Sequence, residues 1–144
     1  MESTTHIFRV SLKAKVYRDI EIEGSRSLHD LAEAIIGAFD FEFDHPFGFY
    51  SNLKNPHDRS GERYELFADM KDTESDARSV ERTTVAQVFS AIGKKMLFLF
   101  DYGDEWRFQV ELKALGKKVA KTRYPRLVAT MGEAPQQYPD EDDE

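Results

Sequence analysis

The 144-residue chain contains no cysteine, which excludes a disulfide framework, a thiolate nucleophile and any thiolate-bound zinc or iron–sulfur site. No apolar run approaches the ~18 residues of a membrane-spanning helix. The opening residues, Met1 to His6, carry neither the basic nor the apolar stretch of a secretion signal. Glycine is sparse, and Gly93-Lys94-Lys95 lacks the upstream glycine spacing of a phosphate loop. No nucleophile elbow or dinucleotide fingerprint occurs either. These absences predict a soluble, cytoplasmic protein without a membrane partner, a cofactor motif or a set of catalytic residues. The length fits one domain of the usual ~100–200 residues.

The net charge of −7 is unevenly placed. The last five residues, Asp140, Glu141, Asp142, Asp143 and Glu144, are all acidic. Without them, 22 acids face 20 bases. Next to Pro135 and Pro139, such a block cannot bury apolar surface and is expected to be disordered. The reading is therefore an ordered domain over 1–131 and a disordered acidic tail over 132–144, which solvates the chain or attracts a basic partner.

Hydrophobic periodicity supplies the elements. Phe8, Val10, Leu12, Ala14 and Val16 alternate with polar residues, the period-two pattern of a half-buried strand, and Ile20 and Ile22 mark a second. Leu28, Leu31, Ala32, Ile35, Ile36 and Phe39 fall on one helical stripe, with Ser27 placed to cap its start. An aromatic stretch from Phe41 to Tyr50 leads into short strands at Phe47–Phe49 and Arg63–Phe67. Asp69 to Arg82 reads as a long, mobile surface connection. Val85, Val88, Phe89 and Ile92 mark a second helix, with a Thr84/Gln87 capping box and a stop at Gly93. The continuous apolar run Met96 to Phe100 predicts a strand covered on both faces, and Trp106, Phe108, Val110 and Leu112 form the other arm of a hairpin. The order ββαββαββ predicts an α+β single domain: a mostly antiparallel or mixed sheet with two helices packed on one face.

Three groups of side chains carry possible chemistry. Asp101, Asp104 and Glu105 are the densest carboxylates of the body and would be the centre of a metal-dependent enzyme. Against that, Asp and Gly are ordinary turn residues, and the spacing matches no EF-hand or two-metal site. The histidines His6, His29, His45 and His57 show no helical metal-site spacing; His45 is the best placed to meet another element. Lys113, Lys117, Lys118, Lys121, Arg123 and Arg126, with Tyr124 among them, form a basic segment able to neutralise phosphates and stack a base. The plainer reading is a solvated loop neutralised by the acidic tail.

The hairpin run Asp101-Tyr102-Gly103-Asp104-Glu105-Trp106-Arg107-Phe108-Gln109-Val110 resembles the D-[YF]-G-D-x-W-x-F-x-V hallmark of the plasmid pRiA4b ORF-3-like family. Val16 to Ile22 is similar to that family's second strand, Leu28 to Phe39 to its first helix, and Tyr124-Pro125-Arg126 to its Y-P-R element. The resemblance covers residues 6–131. Two elements depart from it. His45-Pro46-Phe47-Gly48-Phe49 keeps one histidine of an H-x-H-x-F segment, and Ala134-Pro135-Gln136-Gln137 replaces a cysteine-bearing terminus. The family has no assigned activity. Some members travel with mobile elements under a resolvase-like label, but no recombinase motif stands in this chain.

The expectation is a binding or interaction module without catalysis. Asp101, Asp104, Trp106 and Arg107 are the candidate ligand residues, and Gly103 is expected to permit the turn they share. The alternative is a nucleic-acid-associated protein using Lys117, Lys118, Lys121, Arg123, Tyr124 and Arg126. The partner is either a protein or a nucleic acid, and no metal or other cofactor is assigned.

Overall fold

The computed structural model describes residues 4–66 and 77–138. The acidic residues from Asp140 onward, and most of the connection expected after Asp69, lie outside the described residues. The elements are β1 (Thr4–Lys13), β2 (Val16–Glu23), α1 (Leu28–Ala38), β3 (Phe47–Tyr50), β4 (Arg63–Glu65), β5 (Arg78–Ser79), α2 (Val85–Val88), β6 (Lys95–Phe100), β7 (Trp106–Lys117) and β8 (Arg126–Met131). The strands form one sheet in the order β5-β4-β3-β6-β7-β1-β2-β8, antiparallel except for β4 with β5.

The α+β class and the helices on one face are as expected. Phe8, Val10, Ile20 and Ile22 point to the helical side and join Leu28, Leu31, Ile35, Ile36, Val85 and Phe89 in one buried cluster. Burying each such side chain contributes ~2 kcal/mol. Ser27 caps α1 by accepting the Asp30 amide at 3.1 Å. Strand β6 sits mid-sheet and is buried on both faces: Met96, Phe98 and Phe100 join the helical core, while Leu97 and Leu99 pack with Tyr50 behind it.

The structure corrects three details. The β1–β2 turn falls at Ala14-Lys15, so Val16 opens the second strand instead of closing the first. Helix α2 keeps its capping box but lasts a single turn. Phe89 leaves helical geometry, Lys94 Nζ donates to the last-turn carbonyl of Val88 at 2.7 Å, and Ile92 is exposed. Among the described residues, strands β5 and β8 enlarge the expected six strands to eight. Strand β1 lies inside the sheet between β7 and β2, and β8 forms the edge beyond β2.

Candidate functional site

The sheet end bearing the β1–β2 turn, the β6–β7 turn and residues 132–138 collects the candidate side chains. Asp101 is buried and has φ +65°; Glu105 has φ +52°. The Asp101 carboxylate accepts the amides of Gly103 at 3.1 Å and Asp104 at 3.3 Å. The left-handed positions of this turn are therefore Asp101 and Glu105. Gly103, expected to supply that freedom, does not.

The structure does not bring the four candidate ligand residues together. Asp104 is exposed on the turn, and Asp101 is taken up by the turn itself. Trp106 packs on the helical side against Phe41, with ring centroids 4.8 Å apart. Arg107, the next residue of the same strand, projects from the opposite face, where it donates to the Lys54 carbonyl at 3.1 Å and to Glu105 at 2.8 Å. Among the described residues, no three His, Cys, Asp or Glu side chains gather closely enough to hold a metal.

His45 does meet distant elements. Its Nδ1 lies 2.7 Å from Asp44 and 3.0 Å from the Tyr138 hydroxyl, and its Nε2 lies 3.5 Å from Asp101. The Asp44 hydrogen bond, with the charges of Asp101 and Asp104, raises the imidazole pKa. Behind β3, the Tyr50 hydroxyl donates to Glu65 at 2.6 Å and lies 2.9 Å from the Tyr102 hydroxyl. Desolvation raises both phenols, Tyr102 to about 12, the opposite of the tuning a catalytic phenolate requires.

Trp106 lines a small apolar cleft. A cavity of about 240 Å³ lies among Leu12, Lys13, Val16, Trp106, Glu133 and Pro135. The hairpin turn supplies one wall and the C-terminal segment the other. That segment is fastened by Gln137, which is buried and pairs with both backbone groups of Glu42: it accepts the amide at 2.6 Å and donates to the carbonyl at 3.1 Å. The indole Nε1 of Trp106 is withdrawn from solvent with no acceptor among the described residues. Trp106 was legible in the sequence; Glu133 and Pro135 as cleft residues, and Gln137 as the anchor of their segment, were not, because none belongs to a motif or a periodic run.

The basic segment divides. Lys118 pairs with Glu23 at 3.3 Å, and Arg126 with the buried carboxylate of Glu21 at 2.8 Å. The Tyr124 hydroxyl accepts the Val119 amide at 3.0 Å, which commits the residue expected to stack on a base to loop closure. Lys117 ends β7, and Lys121 and Arg123 stand exposed on the loop after it.

The pattern of the family described as plasmid pRiA4b ORF-3-like protein matches residues 5–141. The chain belongs to the plasmid pRiA4b ORF-3-like family. No curated protein matches it. Its fold is similar to the crystal structure of a protein of unknown function, MM3350, from Methanosarcina mazei Go1. That likeness has a TM-score of 0.73 at 19% identity and covers 94% of this chain and 73% of the other. In this pRiA4b ORF-3-like chain, the hallmark hairpin thus supplies a turn through Asp101 and one wall of a cleft through Trp106. No helix among the described residues is long and apolar enough to cross a membrane.

Proposed function

We propose that this protein is a non-enzymatic binding module whose cleft beside Trp106 takes a small apolar molecule bearing one hydrogen-bond acceptor. The observation that carries this reading is the pairing of an apolar cavity with a tryptophan whose buried N–H has no acceptor. A buried donor left unpaired costs ~1–3 kcal/mol, which a ligand carbonyl or carboxylate would relieve once a shift of the indole turns Nε1 toward the cleft. Lys13 and Glu133, the two charged residues of the lining, would orient such a ligand.

Trp106 is the sole tryptophan, so intrinsic fluorescence reports directly on the cleft. Titration with 8-anilinonaphthalene-1-sulfonate, an aromatic anion, is expected to quench Trp106 saturably. Val16→Phe, which fills the cavity, should weaken that binding at least ten-fold. Absence of quenching, or quenching unchanged in Val16→Phe, refutes the reading. The nucleic-acid alternative instead requires salt-dependent retention on heparin that disappears when Lys117, Lys118 and Lys121 are reversed in charge.

A further inference from the structure

Helix α1 and strand β8 do not close on one another. Across the β2–β8 pairing Leu127 stands opposite Ile20 and Thr130 opposite Arg18, so all four side chains share the face of the sheet that α1 covers. Ile20 is buried, yet Leu127 is 51% exposed, because the helical layer stops short of β8. The space left between them is a cavity of about 430 Å³ lined by Ile20, Leu127, Ala34, Gly37 and Ala38, with Arg18 beside them. That volume is ordinary for a small-molecule cleft. Glycine is a poor helix former, and one inside a helix usually answers a close approach by a neighbour. A Cβ at Gly37 would touch nothing within 4 Å. No packing contact requires this glycine, and its missing side chain leaves the cavity open.

The cavity wall carries a charge without a counterion. Arg18 is 5% exposed, and a charge so far withdrawn from water ordinarily pairs with a carboxylate. Among the described residues it forms no ion pair. Its Nε and Nη1 donate to the carbonyls of Ala38, Tyr17, Met131 and Gly132, and the Phe39 ring lies against the guanidinium. These are dipoles and a quadrupole, with no formal negative charge among them. Nη2 donates to none of the described residues, and unlike Nε1 of Trp106 it is not sealed from solvent. The guanidinium borders two spaces. One, under the C-terminal segment, is ringed by Asp40, Glu42 and Glu133, which repel an anion. The other is the α1–β8 cavity, where Asp40 is the one carboxylate and Arg126 is already paired with Glu21. An anionic head with an apolar body matches this second space, the head toward Arg18 and the body along Ile20, Ala34 and Leu127.

We infer that the cavity between α1 and β8 binds a small carboxylic acid with an aliphatic body of about six to ten carbons, its carboxylate meeting Arg18. The site is separate from the cleft beside Trp106, and the inference does not rest on that reading.

Isothermal titration calorimetry of the full chain with octanoate tests it. The expected result is saturable binding at one site with a Kd below ~1 mM. Octylammonium, of equal length and opposite charge, should bind at least ten-fold more weakly. Gly37→Phe, which fills the cavity, should weaken octanoate at least ten-fold. Its melting temperature should hold or rise, because phenylalanine suits a helix better than glycine. Val16→Phe, which blocks the cleft beside Trp106, should leave the octanoate affinity within about two-fold, as expected of independent sites. The inference is overturned if octanoate shows no saturable binding up to ~10 mM. It is equally overturned if octylammonium binds as tightly, or if Gly37→Phe leaves the affinity unchanged. Loss of binding in Val16→Phe alone would assign the acid to the Trp106 cleft and remove it from this one.

Discussion

His6 and His45 show how one residue type takes opposite roles from its surroundings. His6 is 4% exposed on β1, where its ring bonds the Phe89 backbone and its Nδ1 finds no partner. Desolvation lowers its pKa, the Phe89 bond opposing only in part, so the fold prefers the neutral ring. His45, held by Asp44 and facing Asp101, Asp104 and Tyr138, has a raised pKa. The two windows separate at the unfolded value of ~6.5. Stability from neutral His6 is present above that pH and is lost as pH falls below it, because the unfolded chain then binds the extra proton. Stability from charged His45 is present below it and is lost as pH rises through the higher folded pKa. Denaturant unfolding between pH ~5.5 and ~8 should therefore show a maximum near pH ~6.5. His45→Asn should flatten the limb above the maximum, and His6→Asn the limb below it. A wild-type profile that falls steadily in one direction, or variants that exchange limbs, would contradict these assignments.

Elements were legible where one face meets the core and the other meets water. Helix α1 announced itself because Leu28, Leu31, Ala32, Ile35 and Ile36 occupy one stripe, and all are buried. Strand β8 was hidden because exposure on both faces leaves no alternation to read. The apolar stripe that continues to Ile92 overstates helix α2, because a lysine closes the turn after Val88. The joint among β2, α1 and β8 was likewise invisible, because it is made by one arginine and backbone carbonyls. Arg18 is 5% exposed. Its Nε donates to Ala38 at 3.1 Å, and its Nη1 donates to Tyr17, Met131 and Gly132 at 2.9, 3.0 and 3.0 Å. The guanidinium also lies 4.8 Å over the Phe39 ring. Arg18→Met keeps much of the side-chain volume but leaves these carbonyls without the donor, a loss of ~3 kcal/mol. Arg18→Lys should recover little, since an ammonium cannot reproduce the fork. Chemical denaturation of the three proteins checks the order: wild type, then lysine, then methionine.

At the scale of the whole molecule, the C-terminal segment decides where the domain ends. Patterning suggested an end at residue 131, because the following residues are small, polar or proline and show no period. Spatially, Ala134 packs against the main core and the side chain of Gln137 is locked to the backbone of Glu42. Tyr138 adds a hydroxyl bond to Asp44 at 2.9 Å. Residues 133–138 therefore act as a strap across the sheet end, fastened to Glu42 and Asp44 and forming one wall of the cleft beside Trp106. A chain stopped after Met131 would lose the Gln137 pair and expose the edge of the core, costing ~2–4 kcal/mol. It should melt at a lower temperature and red-shift the emission of Trp106. A chain stopped after Tyr138 loses only six residues, five of them acidic, and should melt within ~1 °C of the full chain at moderate salt, where surface charge is screened. Calorimetry on both truncations separates strap from tail. If the shorter chain is as stable as the longer, the strap contributes nothing to the fold. If trimming the six terminal residues is as damaging as removing the strap, the acidic end packs on the body and belongs to the domain.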